Sequence, residues 1–211
     1  MVSLLIVIVL SYLLGSFPTA ILASRLIMKD DIRKHGSGNA GATNVFRVMG
    51  WKPALIVVLV DIGKGTAAVL LISRIAAGAP LEMPLVRMLA GVAAIAGHIW
   101  TVFAGFKGGK GVGTAFGVLV ALAPLASIVT LVIWVILVLT TRIVSVGSLA
   151  AGVVFPMTLL IQRFLFDLEI HSAYLFLGIG LGVLIFITHR TNIRRLLRGE
   201  ENRFGKRREH A

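Results

Sequence analysis

The sequence predicts an all-α, polytopic membrane protein with seven transmembrane helices, its N-terminus outside and its C-terminus in the cytoplasm. Three observations lead there. The 211 residues are 57% apolar and only 14% charged, with a mean hydropathy of +0.96, against about 25% charged residues in an average soluble domain. Uncharged runs of membrane-crossing length recur along the chain and leave no stretch for a separate soluble core, so one domain covering residues 1–211 is expected. Lysine and arginine gather in alternate connections, as the positive-inside rule requires of a chain that threads back and forth.

Met1 to Ser24 is uncharged, long enough to cross a hydrocarbon core of about 30 Å, and lacks the basic start of a signal peptide. Arg25 and Lys29 follow it, which places the N-terminus outside and the loop from Arg25 to Lys52 in the cytoplasm. The second span is expected from about Pro53 to Ser73 and the third from about Pro84 to Gly105, with Arg74, Glu82 and Arg87 outside. The uncharged run Gly111 to Thr141 would measure roughly 46 Å as one straight helix, too long for a single crossing. A turn near Pro124, with two shortened helices, removes the mismatch and keeps both flanking polar segments on one side. Ile143 to Gln162 and Ser172 to Thr188 supply the last two crossings. They lead to a basic tail of Arg190, Arg194, Arg195, Arg198, Arg203, Lys206, Arg207 and Arg208.

In this layout only Arg74, Arg87 and Arg163 lie outside, so topology and attraction to anionic headgroups account for most of the net charge of +12. Nucleic acid is not an expected partner, because apolar spans separate the basic clusters and no recognition module is present. The chain has no cysteine, which excludes disulfides, thiolate nucleophiles and cysteine metal sites. No metal, other cofactor or obligate protein partner is expected.

Three polar blocks interrupt the apolar pattern. In the first, Lys34 to Gly50, a short helix starting near Asn39 would put Ala40, Thr43, Asn44 and Arg47 on one face, with Ser37, Gly38 and Asn39 at an N-terminus suited to an anion. Ordinary capping of an interfacial helix explains the same residues. Gly36, Gly38 and Gly41 fit GxGxxG, but they follow a membrane span and not a strand, so dinucleotide binding is set aside. In the second, Gly97 to Thr114, the N–H groups of Gly108, Gly109 and Gly111 together with Lys107 and Lys110 form a nest for phosphate. Ala104 and Gly111 break the P-loop pattern, so nucleotide hydrolysis does not follow. The third, Thr188 to Asn202, sets His189 and Asn192 three apart and carries Glu200, which either orients a nearby basic residue or is a solvated surface charge. Within the second span Asp61 and Lys64 can pair at i,i+3, as a structural link or as a substrate contact. His98 lacks the acid five residues on that the HxxxxD acyltransferase dyad needs, since Phe103 stands there.

The ordered blocks GSGNAGATNVFRVMG (Gly36 to Gly50), DIGKG (Asp61 to Gly65), GHIWTVFAGFKGGKGVGT (Gly97 to Thr114) and HRTNIRRLLRGEEN (His189 to Asn202) resemble the acyl-phosphate glycerol-3-phosphate acyltransferases of bacterial membranes, the PlsY family. Thr101 departs from that pattern where proline is usual, and Gly113 where alanine is common. The resemblance implies transfer of an acyl group from acyl phosphate to the 1-hydroxyl of glycerol 3-phosphate, giving lysophosphatidic acid and phosphate. This is the first acylation of phospholipid synthesis, with the site facing the cytoplasm and opening onto membrane lipid. It implies catalytic roles for Ser37, Arg47, His189 and Asn192, and glycerol 3-phosphate binding by Ser37, Asn39, Thr43, Asn44 and Arg47. Acyl phosphate is assigned to Lys107, Gly108, Gly109, Lys110 and Gly111, and supporting roles to Asp61, Lys64, His98 and Glu200. Two other classes remain: a transporter of phosphorylated metabolites, favoured by broken helices and intramembrane charge, and a metal-dependent phosphatidyltransferase. The second needs clustered membrane carboxylates, and Asp61 stands alone.

Overall fold

The computed structural model describes residues 1–76, 78 and 80–203; Lys206, Arg207 and Arg208 of the basic tail lie outside the described residues. Every described element is helical, and the chain divides into two compact units, one up to Pro124 and one from Leu125 onward.

The first unit holds α1 (Val2–Ser16), α2 (Thr19–Met28), α3 (Ala42–Met49), α4 (Trp51–Leu70), α5 (Met83–Ile99) and α6 (Val112–Leu122). The first expected span is therefore two helices. Pro18 has no N–H to continue α1 and its ring disfavours a helical residue before it, and Phe17 leaves the helical region with ψ 114°. Helix α2 then runs past Ser24 to Met28 and stops at Lys29, which is left-handed at φ 57°. Glycine governs the packing. A Cβ on Gly15 would meet the Ala94 carbonyl, one on Gly97 the Tyr12 carbonyl, and one on Gly117 the Ile62 carbonyl. Helices α1 and α5, and likewise α4 and α6, thus approach backbone to backbone, the contact available where lipid supplies no hydrophobic drive to associate. The outer face of α4 leaves Leu55, Ile56 and Leu59 exposed, as a lipid-facing surface requires.

The second unit holds α7 (Pro124–Thr141), α8 (Val144–Phe164), α9 (Ser172–Thr188) and α10 (Arg190–Leu197). Helices α8 and α9 meet where a Cβ on Gly182 would strike the Gly152 carbonyl. The α7 to α8 turn rests on Arg142 at φ 60° and on the Thr141 hydroxyl, which accepts from the Ile143 N–H at 3.1 Å.

The long run Gly111 to Thr141 breaks where expected, since α6 ends at Leu122 and α7 begins at Pro124. Among the described residues five helical stretches are long and apolar enough to cross a membrane, or six if α9 and α10, bent by 60°, count as one. Helix α6 is apolar but has 11 residues, roughly 16 Å, about half a hydrocarbon core.

Candidate active site

The first loop is shaped by its own polar side chains. Asp31 accepts from the Arg33 N–H at 3.0 Å and opens the short turn Ile32–Lys34. Helix α3 starts at Ala42 with Gly41 as its N-cap, later than the expected start near Asn39. Ala40 is consequently outside the helix, and Ser37, Gly38 and Asn39 approach it without forming its first turn. Thr43, Asn44 and Arg47 keep their shared face. Asn44 has a structural task in the loop. It is 1% exposed, its Oδ1 accepts from the Ser37 N–H at 2.8 Å, and its Nδ2 donates to the carbonyls of Ile32 (3.2 Å) and His35 (2.9 Å). Arg47 Nη1 stands 3.5 Å from the same Oδ1. With its amide committed on both ends, Asn44 folds the loop that presents Ser37. Ser37 and Arg47 are exposed, while Asn39 and Thr43 are half-buried.

The glycine loop departs from expectation in the same instructive way. Gly108 donates its N–H to the Ile99 carbonyl at 3.0 Å, and Gly109 donates to the His98 carbonyl at 3.1 Å. Those two donors therefore satisfy the open C-terminus of α5 and do not form an anion nest. Their glycine identity has a different cause: a Cβ on Gly108 would meet the His98 carbonyl, and one on Gly109 would meet the His98 ring and the Ala40 carbonyl. Positive charge remains on Lys107, which is exposed, and Lys110, which is half-buried. Gly111, left-handed at φ 80°, is the N-cap of α6, whose opening N–H groups at Val112, Gly113 and Thr114 project from the helix start.

Arg33 joins the two loops. Its guanidinium grips the Asp31 carboxylate, Nε donating to Oδ1 at 3.0 Å and to Oδ2 at 3.2 Å and Nη2 to Oδ2 at 2.7 Å, while Nη1 donates to the carbonyls of Ala104 (2.9 Å) and Lys107 (3.1 Å). The guanidinium holds the Asp31 carboxyl below the usual carboxylate range, and Asp31 in turn raises Arg33. Asp30, next in line, is held lower still by Lys34.

Beneath this platform lies a buried charged cluster. Lys64 Nζ is 2.9 Å from Asp61 Oδ1 and donates to the Phe17 carbonyl at 3.1 Å, capping the break between α1 and α2. The Thr19 hydroxyl donates to Asp61 at 3.2 Å, and His98 Nδ1 stands 3.6 Å from the same oxygen. The Thr101 hydroxyl donates to the Ser16 carbonyl at the same break. Asp61, Lys64 and His98 thus line one small cavity with Gly108 and Gly109.

In the second unit His189 ends α9 and caps α10. It is 4% exposed. Its Nδ1 lies 2.9 Å from the Ile185 carbonyl, which can only accept, so the neutral ring carries its proton on Nδ1 and Nε2 is the acceptor nitrogen. Asn192 Nδ2 donates to Glu201 Oε1 at 2.8 Å, and Arg195 Nε to Glu201 Oε2 at 2.9 Å. The orienting carboxylate is therefore Glu201; Glu200 is exposed.

A model of the family described as glycerol-3-phosphate acyltransferase matches residues 5–199. The chain belongs to the glycerol-3-phosphate acyltransferase family. Glycerol-3-phosphate acyltransferases of Chlorobaculum parvum and Chlorobaculum tepidum are each 43% identical to it, over 98% of this chain and 100% and 99% of theirs. Two crystal structures of PlsY, an integral membrane glycerol 3-phosphate acyltransferase, align over 96% of both chains. The glycerol 3-phosphate form does so at 36% identity and TM-score 0.85, the lysophosphatidic acid form at 35% and 0.82. Membership in this acyltransferase family sets aside the transporter and the phosphatidyltransferase. It also supplies the frame for what the motifs alone left out. Arg33 sits in an ordinary-looking basic run, and its partners are carbonyls far along the chain. Glu201 adjoins an equally plausible glutamate, and only the α10 turn distinguishes them.

Proposed function

We propose that this glycerol-3-phosphate acyltransferase uses acyl phosphate as donor and acylates the 1-hydroxyl of glycerol 3-phosphate. The observation that carries the reading is the Arg33 clamp, which holds two cationic loops at one end of the first unit, a setting for two phosphorylated substrates. Ser37, Thr43 and Arg47 hold glycerol 3-phosphate, with Asn39 beside them and Asn44 shaping their loop. Lys107, Lys110, Gly111 and the start of α6 hold the acyl phosphate and neutralise charge on the departing phosphate. Gly108 and Gly109 serve by fitting the loop against α5.

The C1 hydroxyl oxygen attacks the acyl carbonyl carbon, the bond from that carbon to the phosphate oxygen breaks, and inorganic phosphate leaves. The hydroxyl proton goes to Nε2 of His189 or to the departing phosphate, with Asn192 and Glu201 steadying the elbow. Transfer is direct, without an acyl-enzyme, and calls for no cofactor. The whole chain acts as one acyltransferase domain crossing the bacterial inner membrane seven times, α6 included. Its N-terminus is outside, and its polar loops and C-terminus are cytoplasmic. The distribution of lysine and arginine supports that orientation.

Purified protein supplied with glycerol 3-phosphate and either acyl phosphate, acyl-CoA or acyl carrier protein tests the donor. Lysophosphatidic acid and phosphate should appear in equal amounts from acyl phosphate alone. Turnover with a thioester donor, or an acylated protein trapped during the reaction, would refute the donor or the direct route respectively.

A further inference from the structure

Arg190, Arg194 and Arg198 recur every four residues and so line one stripe along α10. All three are exposed, and their side chains make no ion pair or hydrogen bond among the described residues. Leu197, 84% exposed, lies beside them. The opposite face is occupied, since Asn192 and Arg195 both grip Glu201. Helix α10 also leaves α9 at 60°, at the point where the apolar span ends. A cationic stripe flanked by an exposed leucine, turned off the end of a span, has the form of a helix that lies in a headgroup layer.

We infer that α10 senses membrane charge: its outer arginines dock on anionic phospholipid headgroups, and docking sets the elbow that carries His189. The coupling is covalent and short. His189 is at once the last turn of α9, through its Nδ1 bond to the Ile185 carbonyl, and the N-cap of α10. A change in the angle between the two helices therefore acts on the backbone of the residue that carries the ring. The occupant is lipid and not an acidic protein, because the stripe continues an apolar span and presents leucine with its cations. The inference rests on the reading that this end of α9 is at the cytoplasmic surface and that His189 serves turnover.

The cation contribution is roughly fivefold in docking per arginine, on the order of a hundredfold for three. Because the chain has no cysteine, a single Leu197→Cys can carry a nitroxide. In phosphatidylcholine vesicles the nitroxide should report a water-exposed site. With phosphatidylglycerol as a major component it should move to headgroup depth, and high salt should return it. At saturating substrates kcat should rise severalfold in phosphatidylglycerol. The R190Q/R194Q/R198Q variant should keep the wild-type kcat in phosphatidylcholine and lose both responses, and the corresponding lysine variant should retain them. A label depth indifferent to lipid charge would overturn docking, and would do so too if depth followed an added acidic protein only. A kcat that ignores lipid charge while the label docks would overturn the coupling. Reaction of the same cysteine with an impermeant reagent in sealed vesicles reports the side of the membrane independently, and acylation in phosphatidylcholine reports the enzyme function, so those failures stay distinguishable.

Discussion

The platform of the first unit and the His189 elbow of the second are both polar and both buried at their centres, yet they are held in opposite ways. Arg33 reaches carbonyls 71 and 74 positions along the chain, and Lys64 reaches one 47 positions away. His189 bonds to a residue four positions back, and Glu201 reaches partners nine and six positions away. The platform therefore exists only when α1, α4 and α5 are packed, whereas the elbow is assembled from adjacent turns and can adjust while the helices stay in place. Damage to the platform should appear in stability and substrate affinity together. Damage to the elbow should appear in turnover.

The largest test of that contrast is Lys64→Ala. Asp61, 4% exposed, would be left with an uncompensated charge, and the Phe17 carbonyl at the helix break would lose its donor. A loss of about 3–5 kcal/mol is expected, read as a large drop in the thermal midpoint in detergent. Replacing both partners, Asp61→Leu with Lys64→Met, should restore most of the stability, because no charge is then stranded. A single variant as stable as the wild type would show that the platform does not depend on this pair.

Next in size is Gly109→Ala, whose new Cβ would press on the His98 ring and the Ala40 carbonyl. Overpacking of this kind costs about 1–3 kcal/mol. Since Ala40 belongs to the first loop and His98 to α5 beneath the glycine loop, KM should rise for both substrates. A rise confined to the acyl donor would mean that the loops move independently.

These two sites also show where the sequence was readable. The pairing of Asp61 with Lys64 follows from i,i+3 geometry on any helix, and the break at Pro124 follows from span length and a residue that cannot donate. Pro18 carried the same signal for α1, but Met1 to Ser24 was already a plausible single span, so nothing in length demanded a break. The glycines of the second loop were legible as special, but that Gly108 and Gly109 donate their N–H groups to α5 carbonyls was not. Whether a glycine frees an N–H for a ligand or allows close approach to a neighbouring carbonyl depends on what packs against it, and α5 is not visible from the loop's own residues. The loop-folding bonds of Asn44 were not legible for a related reason, its partners Ile32 and His35 offering backbone carbonyls, to which a sequence motif gives no address.

Arg33→Ala is the third test, smaller because the side chain is partly exposed and water can replace some of its bonds. A loss of about 1–2 kcal/mol is expected for the bonds to Ala104 and Lys107, with KM again raised for both substrates. Its partner Asp31 titrates below the ordinary carboxylate value. A lowered carboxyl contributes stability above its unfolded pKa of about 3.9, and that contribution disappears as pH falls through the folded value. The clamp should therefore be fully present at neutral pH, and acid unfolding of Arg33→Ala should begin at a higher pH than that of the wild type. Coincident acid transitions would count against the clamp.

The smallest effect on stability should come from the elbow. Glu201→Gln keeps the shape of the carboxylate but loses the charge that Arg195 pairs with and can turn its NH2 toward Asn192. Both bonds lie within adjacent turns, so the helices of the second unit should unfold almost where they did, within about 1 kcal/mol. Turnover should nevertheless fall roughly tenfold, because misplacing a positioned group by a fraction of an ångström acts on the barrier and not on packing. Glu200→Gln, one residue earlier and exposed, should leave kcat unchanged and stability within about 0.5 kcal/mol. If instead Glu201→Gln lowered the thermal midpoint as far as Lys64→Ala does, the elbow would be as much a part of the packed scaffold as the platform, and the division between a platform built by tertiary packing and a locally built elbow would not hold.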